Sequence, residues 1–327
     1  MFQMLGTPAI PSNSVPGRHV ISGKTMGTRY SVVFYSELDF DAEALQRELQ
    51  EAVDRVDEQM SPWKADSILC EINRMEPASW IDLPDETFEV CEAALLTCVE
   101  SEGAFDPFVG DLVSAWGFGP ETDAPDLSKA KQLQGDWNSR RREVEFDRKN
   151  RRLRRPATCR LDLCGIAKGY GVDCLSQVMH RWGLPNHLVS IDGELRASGR
   201  KAGGSGWQVA LEAPEADVRR EALRLEVSDV AIATSGTYRK IRNAGGRTVS
   251  HTMNPQSGAP VKNELLSVSV IAESCMTADA WATAYMVMGC EKALAHAQHA
   301  GLDAIFVVRT PLGAVDVLAT DPELLAA

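Results

Sequence analysis

Five short runs of aliphatic and β-branched residues in the second half of the chain constrain its fold more than any other feature. They are separated by turns and polar loops, and they accompany two segments with helical periodicity, 165–183 and 277–300, the second opened by Thr277. Short apolar runs between turn signals predict strands, and recurrence every three or four residues predicts helices. The predicted strands are 187–193, 207–213, 230–235, 265–273 and 304–308. The chain is therefore expected to be an α+β protein of mixed α and β structure.

The start of the chain lacks these patterns. Residues 1–20 are rich in Pro, Ser and Gly and predict a flexible lead-in, so the folded part is expected to be 21–327, starting near Ile21. Three elements are predicted before residue 102: a strand at 29–35, a helix capped by Asp41 and a helix at 85–101 ended by Gly103. A length of 327 residues favours one large, bilobed unit over two independent domains.

The charge of the chain argues against some functions. A net charge of -12 disfavours general binding to nucleic acid or anionic lipid, because both require a basic face. Arginines cluster only between Arg140 and Arg160, where two strand-like stretches flank a turn at Lys149 and Asn150. A solvated hairpin and a docking patch both fit this segment. No apolar run approaches the ~18 residues of a membrane span.

The cysteines and the N-terminus bear on the compartment. The eight cysteines form no C-x-x-C pair, so they predict scattered buried thiols in a reducing compartment and not a zinc or redox site. The first residues lack a charged region followed by an apolar one and have no early cysteine for a lipid anchor. A cytoplasmic protein is expected, or a periplasmic one if an export signal lies upstream.

The segment "DLCGIAKGYGVD" (162–173) has the composition of a phosphate-binding turn. Asp162 ends a strand-like stretch, and a glycine-bearing turn leads into a helix that carries Lys168. Backbone N–H groups at a helix start and a lysine ammonium both attract phosphate. An ordinary strand-to-helix junction with a surface lysine has the same pattern.

Asp279 and Thr283 stand four residues apart in the predicted C-terminal helix, so their oxygens share one helix face. A hard cation such as Mg²⁺ takes oxygen ligands and completes its shell with water and substrate phosphate. An aspartate that interacts with the helix dipole beside an unrelated threonine is the alternative.

Two loops complete the set of candidates. In "SHTMNPQSGAPV" (250–261), His251 precedes a turn at Asn254, and a loop histidine can act as a base or donate to phosphate. An uninvolved surface histidine is the alternative. Segment 103–119 is rich in Gly, Phe and Trp, which suits either the enclosure of a flat aromatic ring or the protein core.

In their order and in their residue identities, these motifs resemble those of the FAD:protein FMN transferase family, also called ApbE-like. The resemblance extends from about Gly23 to near Phe306. The matching segments are "TMGTRY" (25–30), "MSPWKADSILCEIN" (60–73), 103–119, "LDLCGIAKGYGVD" (161–173), "LVSIDGELRASG" (188–199), "ATSGTYRK" (233–240), 250–261 and "TADAWATAYMVMG" (277–289).

The resemblance implies a fold similar to the T-fold group, with FAD in a cleft between two lobes and Mg²⁺ on its pyrophosphate. It implies FAD contacts from Met26, Trp63, Ala104, Phe105, Asp106, Asp162, Lys168 and Met253. It implies that the metal ligands are the Gly165 carbonyl, the Asp279 carboxylate, the Ala282 position and the Thr283 hydroxyl. Two positions depart from the family pattern: Asp192 stands where glycine is common, and Asn254 where aspartate is common.

The implied reaction moves FMN from FAD to a threonine hydroxyl of an acceptor flavoprotein with a Ser/Asp-Gly-x-Thr-like motif, and AMP is released. His251 is the candidate base that takes the hydroxyl proton. The same residues would serve a Mg²⁺-dependent FAD pyrophosphatase that releases FMN and AMP. A protein that binds FAD without turnover is a third possibility.

Overall fold

The structure, a computed structural model, describes residues 17–325 except 38, 122–123, 134–142, 157–158, 215–219, 239–240 and 245–246. The helices in this described part are α1 (Ala42–Met60), α2 (Ile68–Arg74), α3 (Asp85–Glu100), α4 (Gly110–Ala115), α5 (Leu127–Leu133), α6 (Ala167–Arg181), α7 (Cys275–Met288), α8 (Cys290–Ala300) and a 3₁₀ helix (Pro322–Leu325).

The strands in the same part of the chain are β1 (Gly17–Thr25), β2 (Thr28–Ser36), β3 (Ile81–Asp82), β4 (Glu145–Asp147), β5 (Arg152–Arg154), β6 (His187–Ile191), β7 (Glu194–Ser198), β8 (Trp207–Glu212), β9 (Glu221–Val227), β10 (Val230–Gly236), β11 (Ile241–Ala244), β12 (Arg247–Ser250), β13 (Met253–Asn254), β14 (Ala259–Pro260), β15 (Leu265–Ala272), β16 (Asp303–Arg309) and β17 (Val315–Ala319).

An eight-stranded antiparallel sheet forms the centre of the molecule. Its strand order is β1-β2-β6-β7-β10-β15-β16-β17, so each strand pairs with the next sheet strand along the chain. Apart from the 3₁₀ helix, which follows β17, the other elements are insertions between these strands, and the longest insertion, between β2 and β6, contains α1 to α6. The predicted mixed α and β class is confirmed.

The main core lies on the face of the sheet that the helices cover. Side chains alternate between the two faces along a strand. In β10, Ala231 and Ala233 belong to the main core with residues of α1, α6 and α7, whereas Ile232 points to the opposite face. There, Ile232 and Ile305 pack against Val209 and Leu225 of the β8–β9 hairpin. The hairpin therefore covers part of the second face of the sheet.

The predicted boundaries near the start of the chain are close to the observed ones. The first strand begins at Gly17, four residues before the expected start near Ile21, and residues 1–16 lie outside the described part. Asp41 caps α1 as predicted, because its Oδ1 accepts a hydrogen bond from the Ala44 N–H at 2.9 Å. The second predicted helix is confirmed as α3, and Gly103 follows it with a φ of 82°.

The prediction of one helix over 277–300 was wrong. The chain forms two helices, α7 and α8, which meet at Gly289 with a φ of 80°. The N-cap is Ser274, whose side chain accepts from the Thr277 N–H, so Thr277 does not open the helix. Asn263 donates to the Met286 carbonyl at 2.8 Å, and Glu264 accepts from the Cys290 N–H at 2.9 Å. These two side chains satisfy backbone groups that the break leaves without helical partners.

The arginine-rich segment forms the predicted hairpin, β4 and β5, as far as it is described; residues 140–142 and 157–158 lie outside the described part. Its arginines pair with acidic side chains, in the pairs Arg148–Glu92, Arg151–Asp85, Arg152–Asp147 and Arg154–Glu145. Arg155 is buried and donates to the carbonyls of Ile72 and Asn73 near the end of α2. Nearby carboxylates therefore offset much of the charge of the hairpin.

None of the described helices has the length and apolar character needed to cross a bilayer.

A buried histidine beside the sheet should make stability depend on pH. The ring of His187 is fully buried, with Nδ1 2.8 Å from the Leu184 carbonyl and Nε2 2.8 Å from the Ser176 hydroxyl, so the neutral form has both partners. Burial lowers the pKa of His187 to about 4. Because this is below the unfolded value of ~6.5, stability is complete above pH 6.5 and is lost as the pH falls toward 4.

We expect the free energy of unfolding to drop by roughly 2 kcal/mol between pH 7.5 and pH 5 through His187 alone. Urea unfolding at the two pH values measures this difference. The His187→Asn variant cannot titrate there, so it should lose less stability on acidification even if it is weaker at pH 7.5. An equal drop in the variant and the parent would contradict the assignment.

Candidate active site

One large cavity, of about 960 Å³, collects the residues that the sequence singled out. Its walls come from distant parts of the chain: the β1–β2 turn, the loops after α1 and α3, the start of α6, the β6–β7 turn, strands β8 and β10, the 251–255 loop and α7. Every predicted site residue lines this cavity except Ala282, which is fully buried in the main core. The assignment of Ala282 as a metal ligand stays a prediction.

Helices α6 and α7 lie unusually close where they line the cavity. The Gly169 N–H donates to Asp279 Oδ2 at 3.0 Å, and a Cβ on Gly169 would lie 2.3 Å from the Cys275 carbonyl oxygen. A residue larger than glycine would therefore force the helices apart. Asp173 accepts from the N–H groups of Cys275 and Met276 at 3.0 and 2.9 Å, which satisfies free donors at the start of α7. These contacts fix the two helices as a rigid floor.

Three oxygen groups on this floor fit a hard cation. Asp279 and Thr283 are one turn apart on α7, and Gly165 precedes α6 on the other side. A Cβ on Gly165 would lie 3.1 Å from Thr283 Oγ1 and 3.2 Å from the Phe105 ring, so glycine keeps the space beside the hydroxyl open. Thr283 Oγ1 is also 3.3 Å from Ser235 Oγ. A carboxylate, a hydroxyl and a main-chain carbonyl are the ligands that Mg²⁺ prefers.

Lys168 supplies a positive charge to the same wall. Its Nζ donates to Glu194 Oε1 in an ion pair whose carboxylate side chain is only 3% exposed. Burial opposes the charge of Lys168, but the carboxylates of Glu194 and Asp279 outweigh burial and raise the pKa of Lys168 above its usual value. The ammonium is therefore charged throughout the physiological pH range, and the Lys168 side chain keeps a quarter of its surface exposed at the cavity.

Met26 reaches the cavity from a tight turn. Met26 and Gly27 connect β1 to β2, and Thr25 pairs with Thr28 across them. Both turn residues have positive φ, 46° and 71°, as a type I′ hairpin turn requires. A Cβ on Gly171 of α6 would lie 3.1 Å from the Met26 methyl carbon. The turn therefore packs the Met26 side chain against α6 at the cavity wall.

The aromatic segment contributes both wall and core. Ala104, Phe105 and Asp106 line the cavity but are at least nine-tenths buried, so this part of the segment belongs to both the cavity wall and the core. The Phe105 N–H donates to Ser101 Oγ at 3.0 Å, and Asp106 Oδ1 accepts from the Phe108 N–H at 2.9 Å. These local hydrogen bonds fix the backbone of the wall.

Asp162 does not end a strand, because residues 159–163 form a loop. Its N–H donates to the Pro107 carbonyl at 2.7 Å, and its Oδ1 accepts from the Cys164 N–H at 2.8 Å. Cys164 is exposed, which contradicts the prediction that all the thiols are buried. Trp63 is 60% exposed at the cavity. The turn that precedes α6 therefore begins as a loop held by hydrogen bonds.

The loop with His251 is attached to the aromatic segment. The Trp116 indole N–H donates to the Gly258 carbonyl at 3.0 Å, and the Phe118 ring meets the His251 ring edge to face at 6.4 Å. Met253, which begins strand β13 two residues after His251, is buried. The aromatic segment and the His251 loop are far apart in sequence, but these contacts join them. His251 and Met253 therefore line the same cavity as Asp279 and Lys168.

The two departures from the family pattern preserve the local backbone. Asp192 has a φ of 52°, a conformation that glycine favours and that aspartate tolerates better than most residues. Asn254 Oδ1 accepts from the N–H groups of Gln256 and Ser257 at 2.9 and 3.0 Å, which an aspartate oxygen could also do. Both substitutions therefore keep the turns in which they occur.

Local sequence patterns do not predict roles for Glu194, Ser235 and Trp116. Each lies in a segment that carried the family resemblance, but nothing in the local pattern distinguishes it from its neighbours. Their partners, Lys168, Thr283 and Gly258, are far away in the chain. A glutamate that opens a strand of otherwise alternating character was the one available signal.

Comparison with known proteins gives one consistent result. A FAD:protein FMN transferase of Vibrio cholerae is 35% identical over 298 residues, covering 90% of this chain and 88% of that protein. The protein of the same description from Klebsiella pneumoniae is 31% identical over 315 residues, covering 93% and 87%.

Solved structures agree. The flavin transferase ApbE from Vibrio cholerae has a TM-score of 0.82 at 32% identity and covers 94% of this chain and 98% of its own. The apo form of the Pseudomonas stutzeri flavinyl transferase ApbE has a TM-score of 0.83 at 33% identity and covers 95% and 98%. The ApbE family profile matches residues 26–306, and this chain belongs to the ApbE family.

Proposed function

We propose that this protein is a flavin transferase that moves FMN from FAD to a threonine hydroxyl of an acceptor flavoprotein and releases AMP, with Mg²⁺ as its metal. The observation that carries the proposal is the shared cavity, which Asp279, Thr283, Lys168 and His251 all line. The relatives named above, described as transferring FMN from FAD to protein, support the same reaction.

We assign the walls of the cavity to FAD. Met26, Trp63 and the buried Ala104, Phe105 and Asp106 supply mostly apolar surface suited to flat rings. Lys168 offsets the charge of the pyrophosphate, and Asp162 and Met253 complete the contacts. Asp279, Thr283 and the Gly165 carbonyl would hold Mg²⁺, and Ala282 is retained as a further position. When bound, Mg²⁺ supplies Lewis-acid stabilisation of the charge that develops on the phosphates.

The chain performs the remaining steps with its own groups. The neutral imidazole of His251 takes the proton of the acceptor hydroxyl. The threonine oxygen then bonds to the FMN phosphorus as the P–O bond of the phosphoanhydride breaks, and the electron pair leaves with AMP. Lys168 stays protonated throughout and keeps the phosphates in place. The buried floor, with Asp279 only 3% exposed, limits the access of water as a competing nucleophile.

A transfer assay tests the proposal. The protein is incubated with FAD, Mg²⁺ and a synthetic peptide whose centre is Ser-Gly-Ala-Thr. We expect fluorescent flavin that stays with the peptide after denaturation and a peptide mass increased by one FMN group. Chelation of the metal and replacement of FAD by FMN should each abolish the product.

Two other outcomes have distinct meanings. Free FMN and AMP without labelled peptide would contradict transfer and establish FAD hydrolysis. Bound FAD that survives intact would contradict both reactions and identify a binding protein. Each outcome is read from one chromatogram of the reaction mixture.

A further inference from the structure

Strand β8 brings its main chain to the wall of the cavity. Val209, Ala210 and Leu211 are consecutive, and all three line the cavity. Side chains of neighbouring strand residues point to opposite faces, so a strand that presents a face contributes every second residue. A wall built from three successive residues is a strand edge.

This edge has no strand on its outer side within the part of the chain that the structure describes. There, β8 pairs with β9 in a two-stranded sheet and with no other strand. An edge strand presents unpaired N–H and C=O groups that form a template for another extended segment. The cavity-facing edge of β8 is therefore a hydrogen-bonding surface on the wall of the cavity that Asp279 and Thr283 also line.

The hairpin is anchored well enough to hold that edge in place. Val209 packs with Leu225 of β9 against Ile232 and Ile305 of the large sheet. Trp207 is buried at the start of β8, and its indole N–H donates to the Ser198 carbonyl at 3.1 Å. A preorganised edge loses little conformational entropy when a partner strand pairs with it.

The proposed reaction needs an extended partner at this position. Asp279 and Glu194 are almost fully buried in the cavity, so a threonine on a flat folded surface does not reach phosphates held there. An extended segment can enter and carry its side chain inward. Pairing through the backbone recognises such a segment without requiring one particular side chain at each position.

We propose that the acceptor polypeptide binds as a strand along the free edge of β8, where 209–211 line the cavity, and so delivers its threonine to the active site. The inference rests on the proposed function and names how the protein substrate is recognised. The partner is an extended protein segment around the modified threonine, held by main-chain hydrogen bonds and not by a charged patch.

Hydrogen exchange measures the pairing without turnover. The probe is a twelve-residue peptide with Ser-Gly-Ala-Val at its centre, in which valine replaces the reactive threonine. With this peptide at saturation, we expect slower exchange of amides in 207–211 and no comparable change in strand β17 (315–319), which does not line the cavity and serves as the internal reference. Binding without added protection in 207–211 would overturn the inference.

A backbone N-methyl scan of the threonine peptide tests the same contact by rate. Successive residues of a strand direct their N–H groups to opposite sides, so only every second position pairs with one edge. We expect kcat/KM to fall roughly tenfold at alternate positions, as the loss of a backbone hydrogen bond gives, with small effects between them. A uniform or absent effect would contradict strand pairing.

The two proposals fail separately. Covalent flavin on the peptide without protection of 207–211 would leave the transferase function standing and remove the inference. Protection of 207–211 by the valine peptide without transfer to its threonine counterpart would retain the pairing and overturn the proposed function.

Discussion

Replacing Asp279 with asparagine is expected to lower the rate of FMN transfer roughly a thousandfold or more, because a catalytic metal contributes several kcal/mol and 1.36 kcal/mol is tenfold. Asparagine keeps the side-chain volume and an oxygen that can accept from the Gly169 N–H, a 3.0 Å hydrogen bond in the parent. It removes the negative charge that a divalent cation requires. The free energy of unfolding should therefore change much less than the rate.

The comparison with Asp279→Ala separates charge from packing. Alanine leaves the buried Gly169 N–H without its acceptor, which costs about 1–3 kcal/mol of stability. Both variants should lose activity, but only alanine should also lower the midpoint of urea unfolding substantially. Turnover is measured over a range of Mg²⁺ concentrations. An asparagine variant with normal turnover at limiting Mg²⁺ would remove Asp279 from the metal site.

The second large effect is expected from His251→Ala, which should reduce kcat by about 10²–10⁴-fold and leave FAD affinity nearly unchanged. The surfaces assigned to FAD lie mainly on other segments, including Met26, Phe105 and Lys168. A base acts only while the hydroxyl is attacking, so its loss falls on kcat. Because the neutral imidazole is the active form, the rate of the parent should rise with pH along a limb that the variant lacks.

Ser257→Ala is the matched control for His251. Ser257 is on the same loop, is exposed and does not line the cavity, so its replacement tests whether any change in the loop slows transfer. It should leave kcat and the pH profile as in the parent. Calorimetric titration with FAD gives the affinities. A His251→Ala protein that loses FAD binding in proportion to rate would make His251 a contact residue and not a base.

Local sequence patterns predicted the long helices and about half of the strands in the described part of the chain, because the signals for those elements are short-range. Asp41 caps α1 through the residue three positions later, and the strand predicted at 265–273 was found as β15, Leu265–Ala272. The site residues were recovered mainly through the family resemblance. On spacing alone, Asp279 and Thr283 were compatible with an ordinary helix, and only the fold brings Gly165 beside the threonine hydroxyl.

The features that the sequence did not predict depend on distant partners. The periodicity of 277–300 continues through Gly289, and the break is stabilised by Asn263 and Glu264, which lie before β15. In the same way, the local pattern around Lys168 also fits a surface lysine, because its ion-pair partner, Glu194, lies on strand β7. Such pairings are properties of the strand order, which a single sequence read by local pattern does not contain.

The order of the large sheet also determines when this protein can first recognise its substrate during synthesis. Its strands are added in the order in which the ribosome produces them, so each can pair with a neighbour already present. The start of α6 is made about halfway through synthesis, and α7, with Asp279 and Thr283, follows about a hundred residues later. A nascent chain that ends before Cys275 therefore has only half of the cavity floor. Because a ligand that binds only the native state stabilises only that state, FAD should protect the chain against proteolysis only after α7 has docked.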